Sequence, residues 1–133
     1  MAGKRDLKDI LENLHPLLVD ESYVFMTTKE PINVLVNSLN PVATFTEIEG
    51  STLVITKAIA DENSIQYDTV FNCISLGVHS SLEVSGLIAT ISSELFKNNI
   101  PANVFAGYFH DHIFIPIEKA KLAIEIISSI RSA

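Results

Sequence analysis

The sequence predicts an α+β fold made of two similar half-chain units, each an antiparallel sheet covered by helices. Three observations carry that expectation. Apolar residues switch repeatedly between helical spacing and strand-like runs, turn formers punctuate each switch, and a strand–turn–strand–helix pattern recurs sixty positions later.

In the first half, Leu7, Ile10, Leu11 and Leu14 repeat at helical spacing until Pro16, which predicts a short amphipathic helix. Residues 23–28, YVFMTT, are rich in β-formers and run into Lys29-Glu30-Pro31, which reads as a strand entering a loop. The segment INVLV, between Pro31 and the turn-like residues 37–41, reads as a short strand or an irregular excursion, and pattern does not choose between them. VATFTEI, the Glu49-Gly50 turn and STLVIT then form a hairpin, followed by a helical stretch from Lys57 to Glu62.

In the second half, residues 67–78 are β-prone up to His79-Ser80-Ser81. Ser80 and Glu83 have capping-box spacing, so a helix is expected to start there, with Val84, Leu87, Ile88, Ile91 and Leu95 as its buried stripe and Asn98-Asn99 as its stop. NVFAGYF, the His110-Asp111-His112 triplet and IFIPI form another strand pair. A last helix over 118–130 follows, carrying Ala120, Ala123, Ile124, Ile127 and Ile130 on one face. The order β-α-β-β-α is that of a ferredoxin-like sandwich. The sixty-residue shift places Phe45 on Phe105, Leu53 on Ile113, Ile55 on Ile115 and Ala60 on Ala120, so the chain is expected to divide into residues 1–65 and 66–133.

Composition narrows the function. With 133 residues, 47% hydrophobic and 19% charged, the chain can bury a core and is too short for a large multidomain enzyme. A net charge of −7 with nine Lys and Arg spread along the chain argues against a nucleic-acid partner. No apolar run reaches membrane-spanning length, and MAGKRDLKDI lacks a secretory h-region, which predicts a cytoplasmic protein without a membrane partner. The single cysteine, Cys73, lies in an apolar stretch and reads as a core residue.

Chemistry-bearing patterns are sparse. His110 and His112 point to one face of a strand, but zinc needs three or four ligands, and His15, His79 and Cys73 are isolated in sequence, so no metal is expected. There is no nucleophile elbow and no phosphate-binding loop; GVHSSLEVSG lacks the lysine and the glycine spacing, so neither catalytic residues nor a cofactor are expected. Binding remains. The amino end of a helix starting near Ser81 offers free amides for a carboxylate, and Asp111 or strand-end carbonyls suit an ammonium. The plainer reading is that such helix ends are simply capped and that Asp-His at a hairpin tip is solvated turn chemistry.

Residues 78–127, VHSSLEVSGLIATISSELFKNNIPANVFAGYFHDHIFIPIEKAKLAIEII, closely resemble the C-terminal half of a family of small bacterial ACT-domain proteins, and YVF with FTEIEGSTLVI resembles its first half. The resemblance implies a tandem of βαββαβ regulatory modules, which commonly bind amino acids at interfaces between paired domains. It also implies contacts from the loop between first strand and first helix, carried over here to Val78, His79, Ser80, Ser81 and Leu82. Tyr108, Phe109, His110, Asp111 and His112 are the facing candidates, with Glu49 and Ser51 as a wall from the first unit. Two departures stand out: His79-Ser80-Ser81 replaces the widespread glycine-rich loop, and the first unit shows no clear helix between its initial strands. Tyr108 and the phenylalanines favour an apolar or aromatic ligand side chain over arginine.

The expectation is therefore a non-enzymatic amino-acid-binding regulatory protein, homo-oligomeric, with its ligand at the interface between ACT units and its output passing through an effector protein or through self-association. The alternatives are a ligand-free oligomerisation module, or a small metal-binding or catalytic protein using His79, His110, Asp111 and His112.

Overall fold

A computed structural model describes residues 7–77 and 86–130. The chain divides into two compact units, one of residues 21–71 and one of residues 1–20 with 72–133. The division falls inside the first strand.

The unit of residues 21–71 contains the latter part of β1 (Pro16–Thr28), then α2 (Ile32–Leu39), β2 (Ala43–Thr46), β3 (Ser51–Thr56) and α3 (Lys57–Glu62). Its strand order is β2-β3-β1, and both pairings are antiparallel. Val24 faces Ile55 and Met26 faces Leu53 across the β1–β3 ladder, so these four side chains share one sheet face. That face, Leu39 of α2 and Ala60 of α3 make the buried core. Fully burying an aliphatic side chain stabilises by about 1.5–3 kcal/mol, so this short list outweighs the intrinsic helix preferences of the two short helices.

The INVLV segment is helical, which corrects both the strand-or-excursion reading and the expected lack of a helix between the first strands. Its β-branched residues hide a helical spacing: Ile32, Leu35 and Leu39 all meet the core. Pro31 precedes the helix in an extended conformation (φ −57°, ψ 132°), and Asn40 ends it in the left-handed region at φ 46°, donating its amide to the Val36 carbonyl.

The other unit contains α1 (Leu7–Glu12), the start of β1, β4 (Phe71–Leu76), α4 (Leu87–Lys97), β5 (Asn103–Ala106), β6 (Asp111–Pro116) and, after a 3₁₀ turn over Ile117–Lys119, α5 (Ala120–Ile130). Its strand order is β1-β4-β6-β5. Ile74, Leu76, Ile113 and Ile115 meet Leu87, Ile91 and Leu95 of α4 and Ala120, Ala123 and Ile127 of α5, with Ile10 and Leu14 completing the core. Asn98 and Asn99 end α4 as expected, Asn99 at φ 58°. The helix does not start near Ser81 as expected: α4 begins at Leu87, behind Gly86, whose left-handed φ of 102° cannot belong to a helix; the Ser80–Glu83 capping box and Val84 lie outside the described residues. β4 is shorter than the β-prone run suggested, because Tyr67 is drawn away from it: its hydroxyl donates to Asp61 at 2.8 Å, beside the Lys57–Asp61 pair.

The sixty-residue repeat holds at the level of register. Ala43 pairs with Val54 and Asn103 with Phe114; Thr46 pairs with Ser51 and Ala106 with Asp111. Leu53, Ile55 and Ala60 are buried, and so are Ile113, Ile115 and Ala120. Both units are antiparallel β-α-β-β-α modules with helices over the sheet.

Candidate functional site

β1 ends at Thr28, directly across from Ser51 at the start of β3. The chain therefore enters the β1–α2 loop beside the tip of the β2–β3 hairpin. Two amide–carbonyl bonds between Glu47 and Gly50, at 3.0 and 3.3 Å, close that tip tightly around Ile48 and Glu49. Gly50 packs onto the end of β1 with φ 152°; a Cβ there would lie 2.8 Å from the Thr28 carbonyl oxygen and 3.2 Å from Thr27 Oγ1. Only glycine lets the two backbones approach this closely.

Between the loop and the tip is an open cleft of about 640 Å³, lined by residues 28–32 and 46–51. Its volume lies in the range of small-molecule sites, roughly 300–1,000 Å³. One end is the amino terminus of α2, the positive end of its dipole, where Pro31 provides no side-chain cap and the Val34 amide donates to the Pro31 carbonyl at 3.1 Å. Thr28 Oγ1 accepts the Glu30 amide at 3.1 Å and holds the loop. The charged lining is Lys29 against Glu30, Glu47 and Glu49. Glu47 accepts a hydrogen bond from Thr52 Oγ1. The ion pairs Lys57–Asp61 and Lys97–Glu94 involve none of the four.

At the corresponding tip of the other unit, the Gly107 amide donates to the His110 carbonyl at 2.9 Å. Here the chemistry differs. Tyr108 and Phe109 pack edge to face at 5.0 Å, and are 63% and 58% exposed. Asp111 and His112 lie on opposite faces of β6. His112 Nδ1 is 2.8 Å from Ser75 Oγ on β4, and its ring packs against His110 with centroids 6.4 Å apart. Partial burial holds the His112 imidazole below its ordinary pKa, with His110 adding to the effect and Asp111 opposing it. Burial pushes the Asp111 carboxyl up against the pull of His112. Cys73 is buried, and burial pushes its thiol up with a Ser75 hydrogen bond opposing, the setting of a core residue and not of a reactive thiol. Among the described residues no three His, Cys, Asp or Glu side chains gather as a cation site.

The structure thus brings Tyr108, Phe109, His110, Asp111 and His112 together at one hairpin tip, and places Glu49 and Ser51 at the other. Val78, His79, Ser80, Ser81 and Leu82 lie outside the described residues. What sequence reading missed is residues 28–32: the signal was a strand end followed by Pro31, and it became readable as a strand–helix loop only once INVLV was helical.

Two β-α-β-β-α modules in tandem, each with a hairpin tip at the end of its sheet, define a protein of paired ferredoxin-like units. The chain belongs to the ACT-domain family: one ACT domain model matches residues 2–72 and a second matches residues 69–129. It is similar to a protein of unknown function from Vibrio cholerae, VC0802, with 38% identity, 94% of this chain and 95% of that chain covered, and a TM-score of 0.86. It shares its fold with the regulatory subunit of aspartate kinase from Thermus thermophilus in ligand-free form, at 10% identity over 86% of this chain and 95% of that chain, TM-score 0.66. Protein Atu0741 from Agrobacterium tumefaciens is alike in fold at 13% identity, 89% of each chain and TM-score 0.74. No curated protein matches the sequence. ACT domains are regulatory in kind, and no helix of the described residues is long and apolar enough to cross a membrane.

Proposed function

We propose that the protein is a non-enzymatic regulatory protein of the cytoplasm that binds a free amino acid. The observation that carries this is the cleft between the β1–α2 loop and the β2–β3 tip, which occupies the loop position ACT domains use for their ligands. Its parts suit an amino acid. The uncapped amino end of α2 and Lys29 favour a carboxylate, and Glu30 and Glu49 favour an ammonium. By the repeat, Tyr108 and Asp111 occupy the equivalent tip in the second ACT unit, where Asp111 is the candidate partner for an ammonium. Ligand held where ACT units of paired chains meet would regulate by favouring one arrangement over another, which requires different affinities for the two. The output then passes to an effector protein or to self-association.

A second reading, an assembly module without ligand, draws on exposed apolar side chains such as Phe45, Ile48 and Phe96. A thermal-shift and calorimetry screen of the full chain against the twenty amino acids separates the two. Binding tighter than millimolar, lost in Lys29→Met, supports the sensor; a folded oligomer indifferent to all twenty supports the module.

A further inference from the structure

We infer that His110 and His112 form the protein's share of a binding site for an imidazole-seeking divalent cation such as copper(II), nickel(II) or zinc(II). The pair shares no residue with the cleft of the first unit, and it stands whether or not an amino acid binds there.

The two rings stand with their centroids 6.4 Å apart. A cation bonded to a ring nitrogen at about 2.0–2.1 Å lies roughly 3.2 Å from the ring centre, so two rings sharing it have centres up to roughly 6.4 Å apart. The observed spacing meets that limit, and a bent nitrogen–cation–nitrogen angle requires a closure of about 1 Å. His110 precedes the β5–β6 ladder, whose first pair is Ala106 with Asp111, so its ring closes without breaking a strand pairing.

Each ring presents a nitrogen suited to the cation. His112 Nδ1 is 2.8 Å from Ser75 Oγ, and the same hydroxyl bonds the Cys73 sulfur. With its single proton on that sulfur, Ser75 accepts the Nδ1–H of His112 and fixes the tautomer whose Nε2 carries a lone pair. This is the outer hydrogen bond that metal-ligating histidines make. A Cβ on Gly107 would stand 3.2 Å from Nε2, and glycine keeps that space open. On the other ring, Nδ1 of His110 is buried and makes no hydrogen bond, although the residue is engaged through its carbonyl, which accepts the Gly107 amide at 2.9 Å. A metal bond would relieve the cost of that buried nitrogen.

The donor set selects the cation. Asp111 projects to the opposite face of β6, so the donors are two imidazoles, and calcium and magnesium, which want oxygen, are refused. Copper(II) binds tightest to such nitrogens, with nickel and zinc behind it. Water fills the remaining positions, giving one cation per chain.

The test is calorimetry on the untagged full chain with copper(II), zinc(II) and magnesium salts, joined to electron paramagnetic resonance of the copper(II) form, which counts bound nitrogens. One copper per chain is expected, held about tenfold tighter than zinc or more, with two imidazole nitrogens on the metal and no magnesium bound. His110→Gln and His112→Gln each remove that binding, and Ser75→Ala weakens it about tenfold, as loss of an outer hydrogen bond does. His15→Gln, a histidine elsewhere in the chain, leaves it unchanged. The nitrogen count is read on the parent and needs no variant to fold. Copper bound equally well by either histidine variant, a single imidazole nitrogen on the metal, or binding no tighter than millimolar overturns the inference and leaves the amino-acid reading untouched.

Discussion

Gly50 rests against the carbonyl of Thr28 so closely that a single added carbon would stand 2.8 Å from that oxygen. The contact joins the hairpin tip to the end of β1, and it sets the width of the cleft between them. Gly50→Ala is therefore expected to lower stability by about 1–3 kcal/mol, as overpacking against fixed backbone does. It should also weaken amino-acid binding beyond what the stability loss explains. Denaturant melts paired with calorimetry check this; a variant as stable as the parent would show that the tip moves freely against β1.

Much of this arrangement was legible in the sequence because hairpins announce themselves by local pattern. The Glu49-Gly50 turn, the β-rich runs beside it and the sixty-residue echo predicted the two strand pairs that the structure has, although the first tip turns over Ile48-Glu49, one position earlier than expected. The α2 helix was not legible, since Ile32, Val34 and Val36 favour strands locally and only contact with Leu53 and Ile55 decides for the helix. The cleft inherits that difficulty. Half of its lining is the loop that α2 defines, so a reading that left INVLV open had no reason to look at Lys29 or Glu30.

Gly77 marks a second backbone contact, at the end of β4. Its amide donates to the His15 carbonyl at 2.7 Å, and a Cβ at Gly77 would overlap that same oxygen. Neither partner is a side chain that can rotate away. Gly77→Ala is expected to cost about 1–3 kcal/mol, whereas alanine at exposed Glu12 changes stability little. Urea midpoints for the two variants test the contrast, which fails if they coincide.

The repeat predicts paired consequences in the cores. Ile55 and Ile115 occupy equivalent positions sixty residues apart, and both are fully buried. Truncating either to alanine removes three carbons from a packed site, and each is expected to cost about 2–5 kcal/mol, with spread set by how far each core collapses. Ile→Val at the same positions should cost about 0.5–1.5 kcal/mol. A near-neutral Ile115→Ala would mean that the second core is looser than its burial indicates.

The pH dependence of stability tests the second hairpin tip. His112 is half-buried against Ser75 and His110, with Asp111 the charged neighbour on its own strand, and burial lowers its pKa below the ordinary 6.5. The unfolded chain then takes up the proton first as pH falls. Stability from the neutral imidazole is present above about 6.5 and is lost on descending from there through the lower folded value. Asp111 acts with the opposite sign. Its pKa is raised above the ordinary 3.8, so its burial penalty eases as pH falls through the raised value. His112→Gln keeps a hydrogen-bonding group for Ser75 and removes the titration. Between pH 7.5 and pH 5.5 the parent should lose more stability than His112→Gln. Equal losses in parent and His112→Gln, measured as urea midpoints at the two pH values, would remove His112 as the acid-sensitive group.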